Sequence, residues 1–492
     1  MLWNKERLKS LVEEKLHDYQ IILVSNREPY MHIYRGGEVE VIMPASGMAI
    51  ALDSLMQTCG GTWIAAGSGE ADQEAAGGQE AVMVPPQNPK YKLRRVYLTK
   101  QEEKDYYYGF SNEALWPLCH IAYTRPHFDT GQWETYQAVN RKFADAILSE
   151  VNDQRTIVFI QDYHFALLPR MLKEAEPRLV VCQFWHIPWP NFEVFRICPW
   201  GREILEGLLG NDLLGFHLQY HCNNFFDTVD RTMEARVDME QFAVIRNRKE
   251  TRVRPFPISI DFERFADLAT LPHITAQMAM LRYRLNLRDA KVGLGLDRFD
   301  YTKGIPERIE ALKIFFQKYP QYLGRFTLIQ LGPLSRQHIR SYKLLTAKVD
   351  FLEEELNSEY GQGRWKPLLV LKGHLSHEEI VPYYRLADVM VVSSLHDGMN
   401  LVAKEYVASR VDNQGALILS PFTGASRELT GAFTTNPFNP ENIADAIFEA
   451  LEASEDDRAT RMENMRAWVQ EHNIYYWAAQ YLRALLNLHV ED

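Results

Sequence analysis

The run Asp388-Val389-Met390-Val391-Val392-Ser393-Ser394, closely followed by Asp397-Gly398-Met399-Asn400-Leu401-Val402-Ala403-Lys404-Glu405, decides the fold of this chain. The first part is almost unbroken in apolar residues and predicts a strand buried on both faces, as in a parallel sheet. The stretch from Leu401 to Ser409, rich in Ala, Val, Leu and Lys, predicts a helix. A strand, a short glycine-containing turn and a helix together leave backbone N–H groups and a positive dipole end open to an anion. Asp397 at the mouth and Glu405 further along the helix are both unsuited to holding an anion alone. They suit a ligand that carries hydroxyls beside its phosphates.

A second segment repeats the pattern. Val292-Gly293-Leu294-Gly295-Leu296 is another buried-strand run, followed by Asp297-Arg298-Phe299-Asp300-Tyr301-Thr302-Lys303-Gly304-Ile305-Pro306-Glu307-Arg308. Arg298 and Lys303 fall on the loop after the strand, and Pro306 suits the first turn of the next helix. Two cations at the carboxyl end of a strand can neutralise a departing diphosphate. No D-x-D occurs anywhere in the chain, so the usual carboxylate holder of a divalent metal beside a diphosphate is missing. The sequence therefore predicts that Arg298, Lys303 and the helix start near Met399–Leu401 supply the electrostatics, with no metal and no cofactor.

Working outward, further buried-strand runs alternate with helical patterns. They fall at 20–25, 156–161, 179–185 and 213–217 in the first half, and at 325–332, 367–372 and 415–420 beside the two above. That alternation predicts βαβ units and a mainly parallel sheet in each half. At 492 residues the chain exceeds what one core usually serves. Two prolines at Pro255 and Pro257 mark the junction. The expected organisation is a helical extension over 1–19, striped by Trp3, Leu8, Leu11, Val12 and Leu16, and α/β domains over 20–257 and 258–465. The closing segment, 466–492, reads as helical. Residues 67–91, with several Gly and Pro, read as an irregular surface excursion.

Composition narrows the partners. Hydrophobic residues make up 46% and charged residues 24%, as in ordinary globular proteins. Acidic residues number 65 against 54 basic ones, which argues against nucleic acid as the main partner. Cys59, Cys119, Cys182, Cys198 and Cys222 are scattered, odd in number and without C-x-x-C spacing, so they read as reduced thiols of a cytoplasmic protein. The N-terminus carries too many charges for a signal peptide, and no apolar run approaches the ~20 residues of a membrane span. The sequence leaves the oligomeric state open, a homo-oligomer included.

From about Ile21 to the C-terminus the chain resembles the retaining glycosyltransferases of the trehalose-6-phosphate synthase family. Beside the two segments above, the resemblance rests on Ser25-Asn26-Arg27, on Tyr107 with Phe110-Ser111-Asn112-Glu113-Ala114-Leu115-Trp116-Pro117, and on Gln161-Asp162-Tyr163-His164. It continues through His186-Ile187-Pro188-Trp189-Pro190, Asp212-Leu213-Leu214-Gly215-Phe216 and Ser335-Arg336. It implies a GT-B fold, an α/β architecture of two Rossmann-like domains whose parallel sheets face one another across a cleft, with the C-terminal segment crossing back onto the first domain. It implies transfer of glucose from a nucleotide-glucose, UDP favoured, to glucose 6-phosphate. The implied catalytic residues are Asp162, His186, Arg298 and Lys303. Gly47, Asp397, Met399, Asn400, Leu401, Val402 and Glu405 would bind the donor, and Arg27, Tyr107, Trp116 and Arg336 the phosphate-bearing acceptor.

Departures are visible too. In Pro44-Ala45-Ser46-Gly47-Met48 the usual second glycine is Ser46. Leu375-Ser376-His377 stands where many relatives have Phe-x-Arg, and His396 precedes Asp397 in place of an Arg. Arg27-Glu28-Pro29-Tyr30 is similar to glucosylglycerol-phosphate synthases, which use glycerol 3-phosphate, a polyol phosphate. A catalytically silent sugar-phosphate sensor is the reading from another class, and the intact set Asp162, His186, Arg298, Lys303 and Glu405 argues against it.

Overall fold

The computed structural model describes residues 2–43, 47–77 and 79–488. The chain forms two compact units, one made of Trp3–Ile258 with the segment from Tyr475 onward, the other of Ser259–Ile474.

The first unit is built on a ten-stranded sheet. Its strands are β1 (Tyr19–Arg27), β4 (Thr62–Gly67), β5 (Ala81–Val84), β6 (Tyr91–Tyr97), β7 (Arg155–Gln161), β8 (Val180–Phe184), β9 (Leu213–Phe216), β10 (Arg236–Asp238), β11 (Ala243–Arg246) and β12 (Lys249–Pro255), with β2 (Met31–Arg35) and β3 (Glu38–Ile42) forming a separate hairpin. The order across the sheet is β10-β11-β12-β9-β8-β7-β1-β4-β6-β5. From β12 to β6 every neighbouring pair is parallel, and only the edges turn antiparallel. The central strands are apolar on both faces, which is what burial under helices on both sides requires. The region expected to be an irregular excursion contains β5 and a short helix, Asp72–Ala75, whose Asp72 is wholly buried.

The N-terminal stripe folds as the helix Lys5–Lys15, capped by Asn4 and packed inward through Leu8 and Val12. Trp3 lies between the guanidiniums of Arg7 and Arg483, 4.3 and 4.9 Å from its ring centre. The C-terminal segment is two helices, Glu455–Glu471 and Ile474–Leu488, rather than one. The second of these packs in the first unit, where Tyr481 donates to the Gln183 carbonyl (2.8 Å) and Trp477 to that of Phe256 (3.1 Å).

The second unit has a six-stranded, wholly parallel sheet of β13 (Lys291–Leu296), β14 (Phe326–Gly332), β15 (Leu368–Lys372), β16 (Val389–Val392), β17 (Ala416–Leu419) and β18 (Phe433–Thr434). Its order, β15-β14-β13-β16-β17-β18, reverses between β13 and β16. That reversal is where ligands bind in open α/β sheets, at the carboxyl ends of the strands. The helix Ile305–Lys318 buries Ile309, Leu312, Phe315 and Phe316 in the core beside the helix Pro440–Glu452.

Candidate functional site

In the second unit the two segments singled out in the sequence leave the neighbouring strands β13 and β16. Arg308 holds their ends in register. It is fully buried, and its guanidinium donates to Asp297 Oδ2 (2.8 Å), Gln330 Oε1 (2.6 Å) and Ser393 Oγ (3.0 Å), one partner from the end of each of three strands. Gly295 makes room for it, since a Cβ there would lie 2.1 Å from Arg308 Nη1. Gly304 sits at φ +63° with the Ser393 carbonyl where a Cβ would be, so the turn into the helix Ile305–Lys318 needs glycine.

Lys303 forms an ion pair with Asp397 Oδ2, and both side chains are mostly shielded. Asn400, in the left-handed region at φ +85°, caps the helix Leu401–Ser409 by accepting from the Ala403 N–H (3.0 Å) and donates to Asp397 Oδ2 (3.2 Å). Asn400 is therefore committed to the cap through its side chain, and the open donors of the first turn belong to the partly exposed Leu401 and Val402. Met399 is buried, with its carbonyl accepting from Ala425 N (2.9 Å).

Asp300 is buried and accepts from the Thr302 hydroxyl and N–H (3.1 Å each) and from Tyr342 (3.1 Å). Burial pushes its carboxyl up, but Arg336, Arg298 and Lys303 together outweigh that and hold it below its ordinary range. Arg336 lies 3.4 Å from Asp300 and donates to the Tyr342 hydroxyl (2.5 Å), from a backbone at φ +46°. A left-handed arginine is a strained position of the kind kept at working sites. Further along, Glu405 is buried and accepts from Tyr384 (2.7 Å); burial pushes its carboxyl up to about 7, against the opposing pull of Tyr384 and Arg264.

In the first unit the sequence-predicted residues gather at the carboxyl ends of three adjacent strands. Arg27 ends β1, Asp162 follows β7 and His186 follows β8. Asp162 stands at φ +73°, ψ 175°, a conformation costing about 1–3 kcal/mol outside glycine, and its Oδ1 accepts from the N–H groups of Tyr163 (2.9 Å) and His186 (3.2 Å). The His186 ring shares a hydrogen bond with Gln161 Oε1 (2.8 Å). Desolvation, helped by nearby His164, lowers its pKa to about 3, so the imidazole is neutral at pH 7. Exposed Arg27 donates to the Tyr107 hydroxyl (3.3 Å), while the neighbouring Tyr106 is fully buried. Trp116 is turned inward, its ring tilted against those of His120 (4.0 Å between centres) and Tyr163 (5.9 Å).

Of the four residues expected at the acceptor phosphate, Arg27, Tyr107 and Trp116 belong to the first unit and Arg336 to the second, as the expected division after residue 257 implies. Glu28, one of the four residues similar to the glycerol-phosphate relatives, points into the interior, where its carboxylate meets Arg95 (2.6 Å) and Ser68 (3.0 Å). Of the donor loop, 44–46 lie outside the described residues and Gly47 opens the helix Gly47–Cys59. Tyr384 lies outside the segments quoted from the sequence, and Arg308, Tyr163 and Asn112 stand in them only as members of a pattern, with no role assigned. No group of three His, Cys, Asp or Glu able to hold a metal occurs among the described residues. No helix among them is long and apolar enough to cross a membrane.

The comparisons with known proteins agree with this geometry. The model of glycosyltransferase family 20 matches residues 19–487. A trehalose-6-phosphate synthase of Mycolicibacterium vanbaalenii is 36% identical over 473 residues, 94% of this chain and 95% of the relative. A structure of the E. coli protein bound with UDP-2-fluoro glucose superposes with a TM-score of 0.84 at 30% identity, covering 95% of this chain and 99% of that one. A UDP-forming α,α-trehalose-phosphate synthase from Burkholderia xenovorans, in complex with glucose-6-phosphate, gives 0.85 at 26%, with 95% and 99% covered. Two parallel α/β units with ligand-type loops at their strand ends thus define a GT-B glycosyltransferase. The chain belongs to glycosyltransferase family 20.

Proposed function

We propose that this chain moves glucose from UDP-glucose to glucose 6-phosphate with retention of anomeric configuration, giving trehalose 6-phosphate. The observation that carries the reading is the Lys303–Asp397 pair at the ends of β13 and β16, with the open start of the helix Leu401–Ser409 beside it and Glu405 within it. A phosphate cation, a hydroxyl acceptor and a ribose-type carboxylate on one strand-end platform suit a nucleotide sugar and little else. The solved relatives holding UDP-2-fluoro glucose and glucose-6-phosphate support the same pair of substrates.

In this reading Lys303 exchanges Asp397 for the donor's diphosphate and, with Arg298, stabilises the charge that develops on it. Asp397, released from its ammonium partner, accepts from glucose hydroxyls. Neutral His186 can donate or accept a hydrogen bond to the transferred glucose without adding charge, and strained Asp162 accepts from acceptor hydroxyls. Arg27, Tyr107 and Arg336 hold the acceptor phosphate, with Trp116 backing the sugar pocket. No side chain is assigned as nucleophile: the acceptor hydroxyl attacks from the face the diphosphate leaves, and the departing phosphate oxygen takes the proton. The chain is placed in the cytoplasm, in keeping with its five free cysteines.

The test is turnover by the purified protein with UDP-, ADP- and GDP-glucose, each against glucose 6-phosphate and glycerol 3-phosphate, read as nucleotide release. Release with UDP-glucose and glucose 6-phosphate is expected. A preference for glycerol 3-phosphate would reassign the acceptor, and no release with any pair would support the silent-sensor reading.

A further inference from the structure

The helical segment that carries Tyr107 and Trp116 is unusual. It opens as Lys100–Glu102, runs as a π-helix over Glu103–Leu115 and closes as Trp116–His120. π-helical turns are rare, less favourable than α, and concentrated at functional sites. Asn112 lies in its last turn, five residues beyond Tyr107, which is the hydrogen-bonding separation of a π-helix. Its side-chain amide donates to the Tyr107 carbonyl (2.7 Å), while its Oδ1 accepts from the Tyr163 hydroxyl (2.8 Å). Asn112 and Tyr163 are each only 1% exposed. An amide so placed has water to replace neither bond, so both constrain the structure.

What the amide joins gives it its meaning. Tyr107 is the residue whose hydroxyl meets Arg27, and Tyr163 is the neighbour of Asp162 whose N–H donates to the Asp162 carboxylate. Tyr163 is itself fixed, its carbonyl accepting from Tyr136 (2.7 Å). His164 stacks on both tyrosines, 5.7 Å from Tyr107 and 4.1 Å from Tyr163. The chain of contacts Arg27–Tyr107–Asn112–Tyr163–Asp162 thus spans the first unit's share of the site.

We infer that Asn112 is a positioning residue that sets the spacing between the Arg27–Tyr107 phosphate patch and Asp162, and so the length of sugar phosphate the acceptor site takes. This rests on the function proposed above. It touches no substrate; it acts by fixing where Tyr107 and Asp162 stand relative to one another.

Two variants test it, Asn112→Asp and Tyr163→Phe. Asn112→Asp keeps the acceptor for Tyr163 but turns an oxygen towards the Tyr107 carbonyl; Tyr163→Phe removes the donor to Asn112 and keeps the ring. Steady-state kinetics with UDP-glucose should show the glucose 6-phosphate KM rising about tenfold or more in Asn112→Asp, the effect of one lost buried hydrogen bond, with kcat changed less. The ratio of kcat/KM for glucose 6-phosphate over glycerol 3-phosphate should fall. UDP affinity by calorimetry should stay as in the wild type. The double variant should cost no more than Asn112→Asp alone, because both changes break one chain. The inference is overturned if kcat and UDP affinity fall in step with an unchanged acceptor KM, or if the two changes add. Absence of wild-type turnover with either acceptor, in the same assay, would instead remove the underlying reading, and this inference with it.

Discussion

The phenol of Tyr384 donates to Oε2 of Glu405 across 2.7 Å, in a pocket where both side chains are buried. The pair sets a carboxylate intended for hydroxyls in a place where its charge is costly. Burial wins, and the carboxyl is pushed from its ordinary 4.5 up to about 7.

A pH dependence follows from that shift. A carboxyl whose folded pKa lies above its unfolded one stabilises the fold fully below the unfolded value and loses that contribution as pH rises through the folded one. Thermal stability should therefore contain a component that declines between about 4.5 and about 7 and levels off above, and it should vanish in Glu405→Gln. UDP affinity should change in the opposite sense, rising through the same window as the carboxylate ionises to accept from ribose. Calorimetry and thermal melts from pH 5 to 8 check both. A UDP affinity that is flat with pH in the wild type would detach Glu405 from the nucleotide.

Leaving-group stabilisation is assigned to Arg298 and Lys303. Each alanine variant should lower kcat by roughly two to three orders of magnitude, the effect of removing a preorganised donor. Lys303→Ala leaves the mostly shielded Asp397 without its cation and with its Asn400 hydrogen bond, so its melting temperature should fall as well. Near wild-type turnover in both variants would move the chemistry elsewhere.

Because the electrostatics are assigned to these side chains and to a helix start, turnover should persist in excess EDTA. Complete loss of activity restored by Mg²⁺ or Mn²⁺ would contradict that assignment.

Arg336 needs a conservative substitution. Its partner Asp300 is wholly buried, and removing one side of a buried pair costs about 3–5 kcal/mol, so Arg336→Ala should lower the melting temperature as well as activity. Arg336→Lys keeps the charge near Asp300 but loses the planar fork. Its expected signature is a raised glucose 6-phosphate KM, with UDP binding and melting temperature close to wild type. Loss of UDP binding with the acceptor KM spared would reassign Arg336 to the donor.

The parts of the fold written in local pattern were legible before any coordinates. The nine apolar runs correspond to strands of the two sheets, because a strand covered on both faces has no polar side to show. Other strands were not read from the sequence, among them β4, β5 and β6, the hairpin of β2 and β3, and β10 to β12. The hairpin and β10 to β12 mix charged with apolar residues, as Glu38-Val39-Glu40-Val41-Ile42 does. The strand-turn-helix signatures around 297–308 and 397–405 likewise correspond to the turns that follow β13 and β16.

The sequence by itself thus determined the alternating α/β order and the strand-turn-helix segments to which the proposed function assigns the donor, since both depend on residues near one another along the chain. Only the tertiary structure decided the pairings. Lys303 and Asp397 lie 94 residues apart, and they meet because β13 and β16 are neighbours in a sheet whose order no local pattern encodes. The same holds for Arg308 tying three strand ends and for Asn112 joining Tyr107 to Tyr163, 51 residues further on from the amide. A buried polar group must find its partner wherever the fold brings one, and that requirement is met in space rather than along the chain.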